Sequence, residues 1–260
     1  MTQKFGKLLL VSFLSRLLRG LRMQIVLALA CSLSATLKAQ NIFVSTDQGT
    51  FESGAIGEYR LDGSTVNASL VSELNGPEGI AISGNDLFGT DFGNDTVGEY
   101  TTSGSTVNPS LISPGLSEPR GIAVSGSDLF VANYATDTIG EYTTSGATVN
   151  ASIISGLDVP DSIAISGGDV FVLSLGNGGY IGEYTTSGAT INASLISGLY
   201  SLTGIAISGN DLFVTSAGSS AYNVSDGTVA EYTTSGATVN SSLITGLNHP
   251  EGIAILGNDL

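Results

Sequence analysis

The ten residues GIAISGNDLF (79–88) decide the fold, because close copies of them recur along the chain. These copies begin at Gly121, Ser162, Gly204 and Gly252. A second marker, Gly-Glu-Tyr, recurs at spacings of 41, 42, 42 and 48 residues, starting at Gly57, Gly98, Gly140, Gly182 and, as Ala-Glu-Tyr, at Ala230. Repetition at such a period indicates an array in which every copy is one structural unit.

Each unit contains four short segments that are rich in β-branched and aromatic residues. Such segments are too short for typical helices and favour strands. Gly84-Asn85 separates the first two segments, and Ser103-Gly104 separates the last two; both pairs are typical of tight hairpin turns. The sequence therefore predicts a four-stranded antiparallel meander per unit. Examples of the four strands, in order, are 79–83, 128–133, 96–101 and 67–72.

An isolated meander with apolar residues on both faces cannot bury them. Stacking several meanders around an axis does so, and we therefore predict an all-β fold, a β-propeller of four-stranded antiparallel blades. Five blades are expected, because the two ends of the chain together supply one further blade and their pairing removes an exposed sheet edge. A fragment of a six- or seven-bladed ring is the alternative. The units are 79–113, 121–155, 162–197, 204–245 and a split blade of 41–72 plus 252–256.

The first segment of each unit carries alanine between two larger aliphatic residues. A small side chain suits the innermost strand, where neighbouring blades lie closest together, so this segment is predicted to lie nearest the axis. The alanines are Ala81, Ala123, Ala164, Ala206 and Ala254.

Residues 1–39 differ from the rest of the chain, since they hold six of the eight basic residues and no acidic residue. A basic start followed by the apolar run 25–30 and small residues is typical of a secretory leader. We therefore expect a leader over 1–39, with Met1 or Met23 as its start, and a propeller domain over 40–260. The expected location is extracellular or periplasmic, in a bacterium.

The predicted propeller domain is strongly acidic. Arg60 and Arg120 are its only basic residues against 23 acidic ones, a net charge of −21. Such a charge repels phosphate backbones and anionic membranes, so nucleic-acid binding is excluded as a function. We expect no membrane span in the mature chain and a monomer.

The stretch EPRGIAVSGSDLFVANYATDTIGEYTTSG (118–146) resembles an NHL repeat, whose pattern is Pro-x-Gly-Ile-Ala-Val, a turn, a second strand ending in Ala-Asp or Ala-Asn, and a third strand with an aromatic residue. The resemblance extends over all five units and implies a β-propeller. Related propellers, similar to gluconolactonase and streptogramin lyase, use a metal or a histidine at the central channel mouth. None of their catalytic residues is matched onto this chain.

One position of the repeat, directly after the recurring proline, varies between units. It lies where the innermost strand begins, so these side chains are candidates for a polar pocket at the channel mouth. An alternative is that Arg120 only neutralises Glu78 and Asp161 of the neighbouring blades. Acidic oxygens there are also possible Ca²⁺ ligands, and no other cofactor is expected. The candidates are Glu78, Arg120, Asp161, Thr203 and Glu251, together with the single histidine, His249.

Three functions remain open from the sequence. The first is a secreted, non-enzymatic module that binds a protein or glycan through loops of variable sequence, because such loops on a rigid frame often carry binding. The second is a metal-dependent lactone hydrolase or lyase, and the third is a structural surface protein. The loops between second and third strands are 91–95, 134–137, 174–180 and 216–227.

Residues that are identical in every unit are assigned structural roles, because equal groups around one axis seldom form a single asymmetric pocket. The aspartates are expected to bond backbone amides beside the turns, and the glutamates to lie on a solvated strand face. These residues are Asp86, Asp128, Asp169, Asp211 and Asp259, and Glu58, Glu99, Glu141, Glu183 and Glu231.

Overall fold

The computed structural model describes residues 27–29, 41–46, 54–60, 63–218 and 225–253. Within these ranges the chain forms five four-stranded sheets, and the strand order in each sheet follows the chain order. Neighbouring strands are antiparallel throughout. The predicted all-β propeller of five blades is confirmed.

The strands of the five blades are numbered in chain order. Blade 1 has β1 (Leu27–Leu29), β2 (Asn41–Thr46), β3 (Gly54–Arg60) and β4 (Thr65–Leu74). Blade 2 has β5 (Pro77–Ser83), β6 (Asp86–Asp91), β7 (Thr96–Thr101) and β8 (Thr106–Ile112). Blade 3 has β9 (Pro119–Ser125), β10 (Asp128–Asn133), β11 (Thr138–Thr143) and β12 (Thr148–Ser155). Blade 4 has β13 (Pro160–Ser166), β14 (Asp169–Ser174), β15 (Tyr180–Thr185) and β16 (Thr190–Ser197). Blade 5 has β17 (Leu202–Ser208), β18 (Asp211–Ser216), β19 (Gly227–Thr233) and β20 (Thr238–Leu247).

Among the residues that the structure describes, helical structure is confined to one-turn 3₁₀ segments between second and third strands, at Phe92–Asn94, Tyr134–Thr136 and Gly176–Gly178. In the described part of the chain, no helix has the length and apolar character that crossing a membrane would need.

The core lies between neighbouring blades. One cluster joins Phe130 and Ile139 of blade 3 to Val170 and Val172 of blade 4, all of them fully or almost fully buried. The alanine of each inner strand pairs with a phenylalanine of the second strand, as in Ala123 with Phe130. A phenylalanine therefore fills the space between blades where the inner strand contributes only a methyl group.

Inner strands of adjacent blades approach each other too closely for a side chain at one position. A Cβ atom at Gly79 would collide with the carbonyl oxygen of Arg120, and one at Gly121 would lie 2.7 Å from that of Asp161. At these two contacts the glycine of the recurring Gly-Ile-Ala is thus a packing requirement, whereas blade 4 has Ser162 at the same position.

The Gly-Glu-Tyr marker also has a packing cause. Residues two apart share one face of a strand, and the Tyr142 ring folds back over Gly140. A Cβ atom at Gly140 would lie 2.7 Å from a ring carbon of Tyr142. The same arrangement recurs at Gly98 with Tyr100 and at Gly182 with Tyr184.

The inner strand of blade 1 differs from the prediction. The segment that pairs with β2 is Leu27–Leu29, from the predicted leader, with Ala28 opposite Phe43. In sequence, its Leu-Ala-Leu has the same pattern of alanine between two larger aliphatic residues as the other inner strands. Of the expected partner 252–256, residues 254–256 lie outside the described residues, and residues 252 and 253 are in no strand. Leader cleavage stays a prediction.

Candidate ligand site at the channel mouth

The starts of the inner strands surround a central cavity of about 310 Å³. The second residue of the inner strand in blades 2 to 5 lines this cavity, and so does Glu251, which follows β20 and lies in no strand. All five predicted positions line it, so the structure brings together Glu78, Arg120, Asp161, Thr203 and Glu251. They come from distant points of the chain because each blade contributes its inner strand to the same axis.

Arg120 is the centre of the site. Its Nη1 donates to Asp161 Oδ1 at 2.7 Å, an ion pair between blades 3 and 4 in which the two side chains are only 19% and 17% exposed. The guanidinium carbon also lies 3.8 Å from the centre of the Tyr134 ring and 5.5 Å from that of Phe92. Arginine stacked on aromatic faces is held in one orientation. Of the two partners expected for Arg120, the structure thus shows an ion pair with Asp161.

Phe92 and Tyr134 were not among the predicted site residues. Each is the first residue of the loop between second and third strands, and Leu175 lines the cavity from the corresponding position of blade 4. An aromatic residue directly after the second strand in two units was the signal in the sequence. Its meaning depended on knowing that these loops and the inner-strand starts share one end of the propeller.

Burial changes the acidity of two carboxyl groups at the mouth. Burial raises the pKa of Asp161, although the Arg120 charge and hydrogen bond oppose this rise. The pKa of Glu251 rises to about 7, first because of burial and then because of the negative charge of Asp161. Glu251 is therefore only partly ionised near neutral pH.

Thr203 is used in the joint between blades. Its hydroxyl donates to the Pro250 carbonyl oxygen at 2.6 Å. Second-strand hydroxyls also bond to the inner strand of the next blade, from Ser45 to the Glu78 carbonyl oxygen at 2.8 Å and from Thr90 to that of Arg120 at 2.7 Å. The Thr203 hydroxyl therefore has a structural partner, although it lines the cavity.

His249 occupies a turn that recurs before each later inner strand. Its φ is 45°, and the equivalent residues also have positive φ, namely Gly76, Glu118, Val159 and Ser201. The residue type at this position differs between the units while φ stays positive. The backbone conformation is therefore set by the fold and not by the residue type. His249 does not line the central cavity.

Metal binding at the mouth stays a prediction. Among the residues whose placement is described, no group of three or more His, Cys, Asp or Glu side chains is arranged to hold a metal ion. The loop 216–227 is described only at its two ends, because residues 219–224 lie outside the described ranges.

No protein-family model and no curated protein matches the chain. Solved structures do match. A nidogen/laminin complex has 17% sequence identity and a TM-score of 0.69, over 88% of this chain and 84% of the other. A streptogramin B lyase has 21% identity and a TM-score of 0.60, over 86% and 70%. The inactive H270A virginiamycin B lyase from Staphylococcus aureus, solved with quinupristin, has 18% identity and a TM-score of 0.60, over 89% and 74%.

Likeness at these identities shows the fold. Together with the five four-stranded sheets, it shows that this chain has a β-propeller fold.

Proposed function

We propose that the protein is a non-enzymatic binding module whose channel mouth takes up a basic side chain of a partner protein. The observation that carries this proposal is the composition of the mouth cavity. Three carboxyl groups from different blade positions, Glu78, Asp161 and Glu251, surround one guanidinium, that of Arg120. Acid therefore exceeds base in a partly desolvated place, where charge interactions are stronger than in water.

The position of Arg120 sharpens the argument. Its guanidinium is held by Asp161 and by the Tyr134 ring, so it is a fixed part of the wall. Glu251 lines the same cavity, and its pKa is raised first by burial and then by the negative charge of Asp161. A lysine ammonium or an arginine guanidinium placed beside Glu251 would offset that charge and favour the ionised carboxylate.

A second support comes from the structural neighbours. One of them is a propeller solved in a nidogen/laminin complex, which is a complex between proteins. That complex concerns another protein at 17% identity and supports only the use of this fold for protein binding.

The test is direct binding of short labelled peptides. Fluorescence anisotropy would compare Gly-Lys-Gly-Arg-Gly with a peptide in which norleucine and citrulline replace the two basic residues. We expect binding of the basic peptide alone, weakened about tenfold by Glu78→Gln combined with Glu251→Gln, since each change removes one acidic acceptor. The control is Glu73→Gln, because Glu73 is an exposed residue of β4 outside the mouth.

Equal binding of both peptides, or unchanged binding by the double variant, would contradict the proposal. Measurement at pH 6 and pH 8 adds a second readout, because ionisation of Glu251 should strengthen uptake of a cation at the higher pH.

A metal-dependent lactone hydrolase or lyase is the second candidate. Two observations favour keeping it: the likeness to streptogramin B lyase and a carboxyl group with a pKa of about 7 in the cavity, a value suited to proton transfer. Lactone or cyclic depsipeptide cleavage that requires a divalent cation and is lost in Glu251→Gln would establish this function in place of the first.

A further inference from the structure

The grooves between neighbouring blades, at the end opposite the mouth, contain the residues that every unit repeats. Between blades 3 and 4 lies a cavity of about 430 Å³. Blade 3 contributes Ser125, Asp128 and Glu141 to its wall, and the last hairpin of blade 4 contributes Thr186 and Ser187. All of these side chains are half-buried except that of Ser187, which is exposed.

Strand register places the two acids on one face. Asp128 pairs with Thr143 and Phe130 pairs with Glu141, so Asp128 and Glu141 are diagonal neighbours two residues apart in register. Side chains with this offset project from the same side of a sheet within reach of one ligand. Phe130 lies beneath them with 1% exposure and closes the floor of the groove.

The opposite wall is positioned equally firmly. The hairpin glycine Gly188 sits against the outer strand of blade 3, where an added Cβ atom would collide with the Ile153 carbonyl oxygen. The same glycine position meets the preceding blade at the other junctions. An added Cβ at Gly104 would lie 2.8 Å from the Leu70 carbonyl oxygen, and one at Gly236 would lie 2.9 Å from that of Leu195.

The residues that line this groove recur, in the same register, at the junctions between blades 2 and 3 and between blades 4 and 5. The acid pair is Asp86 with Glu99 facing the blade 3 hairpin, and Asp169 with Glu183 facing the blade 5 hairpin, in the same register as Asp128 with Glu141. At the first junction Asn41 stands in place of the aspartate, and its amide donates to the Glu58 carboxylate. The identical residues therefore do not meet in one central pocket; they lie in pairs at the three junctions between blades 2 and 5.

The repeated grooves have a definite chemistry. Burial, followed by the charge of the neighbouring aspartate, raises the pKa of Glu99, Glu141 and Glu183. Residues 40–260 contain only two basic side chains, of which Arg120 lies at the mouth and Arg60 contacts Ser64. The groove carboxylates therefore offer acceptor oxygens, and the hydroxyls of Thr186 and Ser187 can donate or accept.

From this geometry we propose that the inter-blade grooves beside the acid pairs of blades 2, 3 and 4 are binding sites for a neutral saccharide. Two carboxylates on one face accept from neighbouring sugar hydroxyls, while the threonine and serine of the next blade complete the polar contacts. The net charge of −21 over residues 40–260 opposes any anionic polysaccharide. Several identical sites on one rigid frame suit a polymer of identical sugar units, because weak contacts then combine through avidity. This site is separate from the mouth and goes beyond the protein-binding function proposed above.

The experiment is affinity electrophoresis of the full chain in native gels that contain one neutral polysaccharide each: hydroxyethyl cellulose, laminarin, galactomannan or xyloglucan. We expect at least one of them to retard the protein. The triple variant Asp86→Ala, Asp128→Ala, Asp169→Ala should lose at least tenfold in apparent affinity, whereas Asp128→Ala alone should lose about two- to fourfold, since other grooves remain. Glu73→Ala, which also removes one negative charge, is the control that should be retarded like the wild type.

A second set of variants keeps the acids and the side-chain volume. Replacing Thr144, Thr186 and Thr234 by valine removes the hydroxyls of the opposite wall, and it should also weaken retardation at least tenfold. Circular dichroism melting of each variant checks the fold.

Three results would overturn the proposal: no retardation by any of the four polysaccharides, unchanged retardation of both triple variants, or calcium binding that the aspartate variants abolish without any saccharide binding. The basic-peptide assay is read separately. If a variant loses saccharide binding but still binds the basic peptide, only the grooves are affected. If it loses peptide binding but is still retarded by the polysaccharide, only the mouth is affected.

Discussion

The two ends of the propeller use the repeat in opposite ways. At the mouth, one equivalent position carries glutamate, arginine, aspartate and threonine in different blades, and these side chains meet in one cavity. At the other end, the three junctions between blades 2 and 5 carry the same acids and hydroxyls, which line a groove between blades 3 and 4. An asymmetric site on a repeat protein thus requires variation near the axis, whereas identity between repeats produces several equal sites away from it.

The difference follows from distance to the axis. Inner strands lie so close together that a Cβ atom at Gly121 would be 2.7 Å from the next blade's backbone. Residues at their starts therefore share one space. Strands two to four of each blade diverge from the axis, so residues there contact only the adjacent blade. Identical residues in different blades therefore do not share one space.

The largest expected effect comes from disturbing the close approach at the axis. Gly79→Val should lower the free energy of unfolding by about 3 kcal/mol or more, because the new side chain collides with the Arg120 backbone. It should also weaken binding of the basic peptide at the mouth more than it weakens retardation of the protein in polysaccharide gels, because the groove between blades 3 and 4 lies away from Gly79. Urea unfolding followed by circular dichroism measures the stability.

Gly168→Ala is the matched control for this prediction. It lies in a tight turn at the groove end, and an added Cβ atom there would meet nothing within 4 Å. We expect a change below about 0.5 kcal/mol. Equal effects of the two substitutions would contradict the assignment of Gly79 to the crowded hub.

An intermediate effect is expected from pH. The pKa of Glu251 in the folded chain, about 7, exceeds its usual value of 4.5, so between these values the folded state binds more protons than the unfolded state. The free energy of unfolding should therefore fall as pH rises from about 4.5 to 7, by ~1–2 kcal/mol from this group. The raised pKa values of Glu99, Glu141 and Glu183 at the groove end act in the same direction.

The contributions of the mouth and of the groove end to this pH dependence can be separated by substituting Glu251. Glu251→Gln should flatten the upper part of the pH profile, near pH 7, and leave the lower part to the groove glutamates. Urea midpoints measured at half-unit steps from pH 4.5 to 8 provide the test. A wild-type stability that increases over this range would show that the mouth is not an acidic, poorly compensated site.

The smallest expected effect concerns the aromatic support of Arg120. Tyr134→Leu should destabilise the protein by about 1 kcal/mol, because the ring face 3.8 Å from the guanidinium is lost while an apolar side chain remains. Tyr200→Leu is the control, since Tyr200 is 76% exposed in a connecting loop. Thermal melting of both variants gives the comparison, and similar melting temperatures would argue that the stacking contributes nothing to the mouth.

Much of this architecture was predictable from local sequence. The Gly-Ile-Ala segments, the Gly-Asn type turns and the roughly 42-residue period together indicated the blades and the inner strand. The mouth positions also followed, because knowing the inner strand tells which residue begins it. Phe92 and Tyr134 were missed, because stacking on Arg120 joins residues whose neighbourhood exists only after the blades are assembled. Leu27–Leu29 was missed because a short apolar strand and the apolar run of a leader look alike.

The acidic residues that recur in every unit show most clearly what the sequence alone could not predict. Their identity between units led to a purely structural interpretation, yet Glu141 and Asp128 face the Thr186 hairpin of another blade across a cavity. By itself, the order of residues determined the strand pattern, the turns and the axis-facing positions, because these depend on neighbours within about ten residues. Only the tertiary structure decided which side chains share a space, since contacts between blades join residues roughly 40 positions apart, and packing around the axis selects among them.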